Sequence, residues 1–336
     1  MRLARLLRFS LWWQHIVPPV VAVAYLGTAL GVLDPRQLVA RLPLFVASIL
    51  GIAGFGYLLN DVCDIAVDRA AAKPNAAAAL GRFARGGLLA LLLLAGLAPW
   101  SLLPRNPLNL GLLALQVGAL TLYSVRPFRL KERGFAGVLA DTLYGHLLPV
   151  AIAAATFLPL AAGTATGRFG LLALLLLTAK GLRNILLHQL GDRDNDRRAG
   201  LHSFVLRLGP VRALALINRL LLPLELAALV TLLALLAPAA PVWVGFAAFL
   251  VFTALMFSAW KFPYLPPRQL RFKFLYFLND FYEEWLPPTV LAIAVARHPG
   301  LWPLLPLHFA LFPRGLAKLP RTVTVLRENF VHAADF

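Results

Sequence analysis

The chain has 336 residues, of which 60% are hydrophobic and only 14% charged, and it carries a formal net charge of +17. A water-soluble core of this size needs a more polar exterior, so the composition excludes a soluble globular domain. The surplus Lys and Arg fall in short clusters between apolar runs, without the aromatic-interleaved stripe of a nucleic-acid surface; this pattern suits anionic membrane lipid headgroups and excludes nucleic acid as the partner. One cysteine, Cys63, rules out an internal disulfide.

Taken in order, apolar runs near residues 15–33, 41–60, 86–103, 108–125, 136–159, 169–190, 213–237, 240–260 and 284–312 predict about nine membrane helices. The first lacks a small-residue cleavage site and reads as a retained helix, not a removed signal. The last contains Pro287, Pro288, Pro303 and Pro306, which predict a broken helix or a re-entrant pair. No Ser/Gly-rich linker divides the chain. The expected fold is therefore an all-α, multi-pass transmembrane helical bundle over about 15–312, in one domain with a central cavity, and 313–336 reads as an interfacial tail.

Loop charge sets the expected orientation. Arg2, Arg5 and Arg8 share one side with the clusters Arg69/Lys73/Arg82/Arg85, Arg126/Arg129/Lys131/Arg133, Arg193/Arg197/Arg198/Arg207 and Lys261/Arg268/Arg271/Lys273, whereas the opposite loops hold only Arg36, Arg41, Arg105 and Arg168. By the positive-inside rule the rich side is cytoplasmic, in an inner membrane of bacterial type, and the cavity opens there. Nine crossings would then leave Arg314, Lys318, Arg321 and Arg327 outside, against the rule, unless 284–312 crosses twice as short segments.

Two acidic motifs end apolar runs on that rich side. In Gly56–Asn75, GYLLNDVCDIAVDRAAAKPN, the residues Asn60, Asp64 and Asp68 recur every four positions and share one face if the helix continues, with Asp61 beside the stripe. In Asn184–Gly200, NILLHQLGDRDNDRRAG, the residues Asn184, His188, Asp192 and Asp196 repeat that spacing, with Asp194 between the last two. Either motif alone also fits a polar helix end at the membrane interface, but two at equivalent positions have the pattern of a weak internal duplication. Facing carboxylates repel unless hard cations lie between them, and Mg²⁺ takes a few carboxylate oxygens while leaving room for water and phosphate. The nearby Lys73, Arg126, Arg129, Lys131, Arg133, Arg193, Arg197 and Arg198 suit a diphosphate, and a greasy bundle suits a hydrocarbon tail on it.

These residues resemble a known family. Asn60-Asp61-x-x-Asp64-x-x-x-Asp68 and Asp192-x-x-x-Asp196-x-x-x-Gly200 are similar to the two signatures of the UbiA superfamily of intramembrane prenyltransferases, and Tyr123-Ser124-x-x-Pro127-x-x-x-Lys131-x-x-Gly134 is similar to its loop after the fourth helix. The resemblance spans roughly residues 15–290. It implies that Asn60, Asp61, Asp64 and Asp68 hold one Mg²⁺, that Asp192 and Asp196 hold a second, and that Lys131 contacts the diphosphate. It further implies ionisation of an isoprenoid diphosphate and capture of the allylic cation by an acceptor, with Asp64, Asp192 and Lys131 in the catalytic set. His188, one turn before Asp192, is a further catalytic candidate, to deprotonate an acceptor hydroxyl or orient a carboxylate, with a hydrogen-bonded packing histidine as the alternative reading. Lys73-Pro74-Asn75 departs from the Arg-Pro that many members carry, and a lysine offers a point charge in place of a planar fork.

In the fifth run, Asp141, Tyr144 and His146 are candidates for the acceptor pocket, with helix–helix hydrogen bonding as the alternative reading. Arg183 and Lys180, placed mid-span, need a partner such as Asp141, Glu225 or substrate. Asn279, Asp280, Glu283 and Glu284 read as a solvated helix start, with closure over the site as the alternative reading. A terpene cyclase within the same family, or a cation transporter or channel, are the competing functions. The sequence names neither the acceptor, whether ring or lipid, nor the oligomeric state.

Overall fold

The computed structural model describes residues 6–70, 72–159, 165–198, 203–235, 240–259 and 275–317, and those residues are all-helical with no strand among them. Helix α1 covers Phe9–Ala29, α2 Pro35–Ala70, α3 Arg82–Leu97, α4 Pro107–Ser124 and α5 Phe135–Phe157. Then follow α6, Ala165–Arg198, α7, Pro210–Leu235, and α8, Ala240–Ala259. Helix α9 is assembled from Phe277–Asp280, Phe281–Trp285 and Leu286–Arg297, and α10 covers Leu304–Leu311. Six of these helices are long and apolar enough to cross a bilayer. Large apolar side chains such as Phe83, Leu91, Leu171, Val211 and Val244 stand exposed on the outside, where lipid replaces water as solvent. The chain is an integral membrane protein.

Helix ends follow local chemistry. Asp34 Oδ1 accepts from the Arg36 and Gln37 amides at 2.8 and 3.4 Å and so opens α2, with Pro35 in the first turn, where its missing N–H costs nothing. Asn106 and Asn109 cap α4 reciprocally. Helix α2 then runs 36 residues without a break, so the first motif is helical throughout and its four-residue spacing does place Asn60, Asp64 and Asp68 on one face. Helix α6 likewise carries the second motif as far as Arg198. Gly200, the lysine- and arginine-bearing stretch 261–273 and the tail beyond 317 lie outside the described residues.

The prolines act differently from expectation. Three wide π turns occur among the described residues: Leu143–Leu147, Ile217–Leu221 and Phe281–Trp285. Each lies just before a proline (Pro149, Pro223, and the Pro287/Pro288 pair). A proline lacks the N–H of an α-helical turn and its ring collides with the carbonyl four residues back; widening the turn relieves both and lets the helix continue. Pro287 and Pro288 therefore do not break α9. The break comes at His298, where Pro299 starts a single 3₁₀ turn before α10.

That break turns the chain around. Arg297 donates to the Ala29 carbonyl at the far end of α1. Trp13 Nε1 and Gln14 Nε2, near the start of α1, donate to the Leu311 carbonyl at 2.8 and 3.2 Å, and Arg314 reaches Glu283 at 3.2 Å and Asp280 at 3.6 Å, where α9 begins. The last apolar segment thus goes out and comes back, and Arg314 lies at the same end as both motifs. The conflict between nine crossings and a basic tail disappears for this residue.

Helices α2 and α3 pack backbone to backbone. A Cβ on Gly51 would collide with the Gly96 backbone and the Leu92 carbonyl, and Ser48 Oγ crosses the seam to the Gly96 carbonyl at 2.7 Å while accepting from Trp100 Nε1 at 2.8 Å. Small residues are what permit such an approach. Replacing Gly51 with Ala is expected to cost at least about 1–3 kcal/mol, as overpacking does, and to lower the melting temperature in detergent. Gly118→Ala in α4, where a Cβ meets nothing within 4 Å, should leave it unchanged.

Candidate active site

A cavity of about 1380 Å³ lies among α1, α2, α4, α5, α6 and α9. On α2 its lining runs from Phe45 through Ser48, Ile49, Ile52 and Tyr57 to Asn60 and Asp64. At 1.5 Å per residue, the 15 steps from Phe45 to Asn60 make a channel about 22 Å deep. Its inner end is apolar, closed by Phe45, Trp100, Leu113 and Ile152, and its mouth is polar, ringed by Arg8, Asn60, Asp64, Lys131, Asn184 and His188. Asn60 and Asp64 of α2 and Asn184 and His188 of α6 thus border one space.

The loop after α4 closes on the tip of α2. Lys131 Nζ lies 2.7 Å from Asn60 Oδ1 and 2.5 and 2.6 Å from the two oxygens of Asp64. Arg129, buried, donates to Asp64 Oδ1 at 2.8 Å, to the Cys63 carbonyl at 3.2 Å and to Glu132 at 2.5 Å. It does so from a left-handed backbone, φ 37°, a conformation costly for a non-glycine residue that these bonds hold in place. Burial pushes the Lys131 pKa below its ordinary value although Asp64 pulls it the other way. At Arg129 desolvation also works to lower the pKa, but Glu132 and Asp64 outweigh it and hold the group above its usual range.

The remaining motif residues take separate places. Asp61 turns away from the Asn60–Asp64 face and pairs with Arg8, whose Nη2 and Nε lie 2.7 and 3.1 Å from its two oxygens. Asp68 accepts from Asn75 Nδ2 at 2.8 Å, and the same amide group donates to the Asp61 carbonyl, so the chain after α2 folds back on the helix. On α6, His188 Nε2 lies 3.4 Å from Asp192 Oδ2, both well exposed; His188 lines the cavity, whereas Asp192 and Asp196, like Asp61 and Asp68, are not part of its wall. Asp196, one turn on, has its carboxyl raised by burial and then by Asp192, while the positive field of Lys73 reaches it from the α2 side and lowers it. Lys73 itself is exposed.

Of the cationic residues expected at a diphosphate, Lys131 lines the cavity, whereas Lys73, Arg126, Arg129, Arg133, Arg193, Arg197 and Arg198 are not part of its wall. Arg133 donates to the Pro127 carbonyl at 2.6 Å and Arg193 pairs with Asp194 at 3.0 Å. Asp141, Tyr144 and His146 all face the cavity. Reading the sequence missed Arg8 as a site residue, and also Tyr57 and Tyr123, which line the cavity beside Tyr144; Arg129, expected near a diphosphate, instead braces Asp64. It also misplaced Glu283, which is 3% exposed, lines the cavity and pairs with His15 at 2.7 Å and Arg314 at 3.2 Å; this is not a solvated helix start.

Behind the α6 wall, Arg183 is fully buried, with Nε and Nη2 on the two oxygens of Glu225 at 2.6 and 2.8 Å and a further bond to Asn279 at 2.8 Å. Asn279 in turn holds the cavity residue Asn184 at 3.2 Å. The fork satisfies a charge that could not stand alone in the bundle.

The oxygens around Lys131 test whether a metal suits this site. Three of them, from Asn60 and Asp64, already close on a positive charge at 2.5–2.7 Å, so the ammonium is a stand-in for a cation bound there. Among the described residues no three His, Cys, Asp or Glu side chains converge. A sparse oxygen donor set fits Mg²⁺, which keeps waters and takes phosphate oxygens, better than zinc.

Comparison with known proteins accords with this geometry. The profile of the UbiA prenyltransferase family matches residues 16–281. The chain belongs to that family. Among solved structures it is similar to a UbiA homologue from Archaeoglobus fulgidus bound to GPP and Mg²⁺, at 17% identity and TM-score 0.60, covering 88% of this chain and 99% of that one. The same homologue bound to DMAPP and Mg²⁺ matches at 16% identity and TM-score 0.57, over 87% and 99%. A structure of digeranylgeranylglyceryl phosphate synthase matches at 14% identity and TM-score 0.56, over 88% and 98%. These identities speak for the shared fold. A comparison with curated proteins finds no match.

The Arg183–Glu225 fork yields a stability prediction. Glu225→Ala leaves a buried guanidinium without its partner and should cost about 3–5 kcal/mol, read as a lower melting temperature and less monodisperse protein in detergent. The double variant Arg183→Met/Glu225→Met should recover most of that loss.

Proposed function

We propose that this UbiA-family prenyltransferase binds an isoprenoid diphosphate with its head at the facing tips of α2 and α6 and its tail in the apolar channel, and transfers the prenyl group to an acceptor. The observation that carries the reading is the Asn60–Asp64 oxygen cage around Lys131 at the mouth of that channel. The same homologue's structures with GPP and DMAPP support the donor class.

Asn60 and Asp64, joined by Asp68, are the residues that would hold one divalent cation, and Asp192 and Asp196 a second. When bound, such ions neutralise charge growing on the departing diphosphate. With such an ion at Asn60 and Asp64, Lys131 would be free to face that diphosphate as a further cation, and Arg129 keeps the loop against α2. Asp61 on this reading acts through Arg8, which it fixes at the mouth, and not as a metal ligand. The apolar lining from Ile52 to Phe45 holds the tail and excludes water from the ionised carbon. The charge asymmetry of the loops supports a mouth on the cytoplasmic side. Family membership weighs for this chemistry over cation transport.

Two outcomes test this. Purified protein given geranyl diphosphate should release diphosphate only with Mg²⁺ present, and excess EDTA should abolish release reversibly. Asp64→Asn should lower turnover at least about 100-fold, as loss of a main electrostatic group does, with its elution profile unchanged. Near-normal turnover without divalent cation would defeat the assignment.

A further inference from the structure

Four carboxylates line the cavity: Asp64, Asp141, Asp280 and Glu283. Asp64 is matched by Lys131 and Arg129, Asp280 by Arg314, and Glu283 by His15, Arg314 and, at 4.0 Å, Lys180. Asp141 differs. Among the described residues no Lys, Arg or His nitrogen lies within 4.0 Å of it, and its hydrogen bond comes from Tyr144 Oη to Oδ1 at 2.8 Å. It stands on α5 between the two tips, within the field of His188 on one side and of Tyr57 and Tyr123 on the other. Tyr123 meets Tyr144 edge to face, ring centres 4.9 Å apart.

A carboxylate held in a bundle wall without a cation is costly unless its partner arrives with the substrate. Two positive species arise in a prenyl transfer: the allylic cation and the proton that the acceptor sheds. The tyrosine rings already offer π faces to the first. The unshared oxygen of Asp141, aimed into the same space, is left for the second.

We infer that Asp141 is the general base of the transfer, an assignment that rests on the prenyltransferase reading above. The bond between the donor's first carbon and its bridging oxygen breaks, and the electron pair leaves with the diphosphate. The acceptor's nucleophilic atom bonds that carbon, and its proton passes to Asp141, which becomes a neutral acid still bonded to Tyr144 and later loses the proton to water at the mouth. The acceptor therefore carries a removable proton, as a hydroxyl or a ring C–H, and is not an anion already stripped of it. Tyr144 orients the carboxylate, with one oxygen bonded and the other presented.

The test separates ionisation from capture. Purified wild type and Asp141→Asn receive geranyl diphosphate labelled with ¹⁸O at the bridging position, together with methanol, which must lose a proton on capture, or azide, which has none to lose. Scrambling of the label into non-bridging positions reports ionisation alone. Asp141→Asn should scramble at the wild-type rate and form geranyl azide normally, while its methyl ether falls about 100-fold or more, the usual worth of a general base; Asp141→Glu should restore part of the ether. Equal ether from both proteins, including none from either, overturns the assignment, and so does scrambling that falls in parallel with the ether. Wild type that never scrambles the label defeats the prenyltransferase reading itself. Melting temperatures of the variants identify any loss due to misfolding.

Discussion

The whole site depends on one contact between distant parts of the chain: the Asp64 carboxylate held by Lys131 and Arg129. Asp64 sits near the end of a helix whose preceding turns are apolar, and Lys131 and Arg129 sit on a loop 65 or more residues later. Burial disfavours the charge on Lys131, and the Asp64 carboxylate opposes that loss. Together they close the polar end of the channel and fix the distance between α2 and the loop after α4. A cation bound at Asp64 would compete with Lys131 for the same oxygens. The arrangement is one in which positive charge is exchanged, not added.

A second polar cluster does the same service for α6 and α9. Arg183, Glu225, Asn279 and Asn184 form a chain of bonds from the interior of the bundle to the cavity wall. Because Arg183 and Glu225 are both fully buried, the pair contributes little net stability relative to apolar packing, but it allows only one register between α6 and α7. Asn184 is thereby fixed opposite Asn60 across the mouth. The apolar clusters fill the space on either side, one around α1, α2, α4, α5 and the latter part of α9, the other around α6, α7, α8 and the start of α9.

Much of this was legible from residue patterns. Hydropathy located the helices, because lipid demands long uninterrupted apolar runs, but not their ends: α2 and α6 run ten and eight residues past the runs predicted to end at 60 and 190. The i, i+4 acids of both motifs were readable because a helix that continues past the membrane puts them on one side. What stayed hidden depends on contacts made across the fold. Nothing near Asp61 marks it as the partner of Arg8, 53 residues away. Tyr57 and Tyr123 have the spacing of ordinary core aromatics, and Glu283 was mistaken for a solvated acid because its cationic partners His15 and Arg314 come from opposite ends of the described chain. The prolines of α9 misled for a related reason: whether a proline breaks a helix depends on whether the turn before it can widen.

That widening also changes which residues meet the cavity. In a regular helix each step rotates about 100°, so three neighbours in sequence cannot all look the same way. Yet Tyr144, Gly145 and His146, in the turn before Pro149, all border the channel, as do Asp141 and Pro149. The surplus residue in that turn flattens the helical phase just where the wall has most chemistry to present. It also leaves the Tyr144 carbonyl without an amide inside its own helix, and Gln116 of α4 donates to it at 2.9 Å. A regular helical wheel drawn through α5 would keep Asp141, Tyr144, Gly145 and Pro149 on one face and put His146 off it.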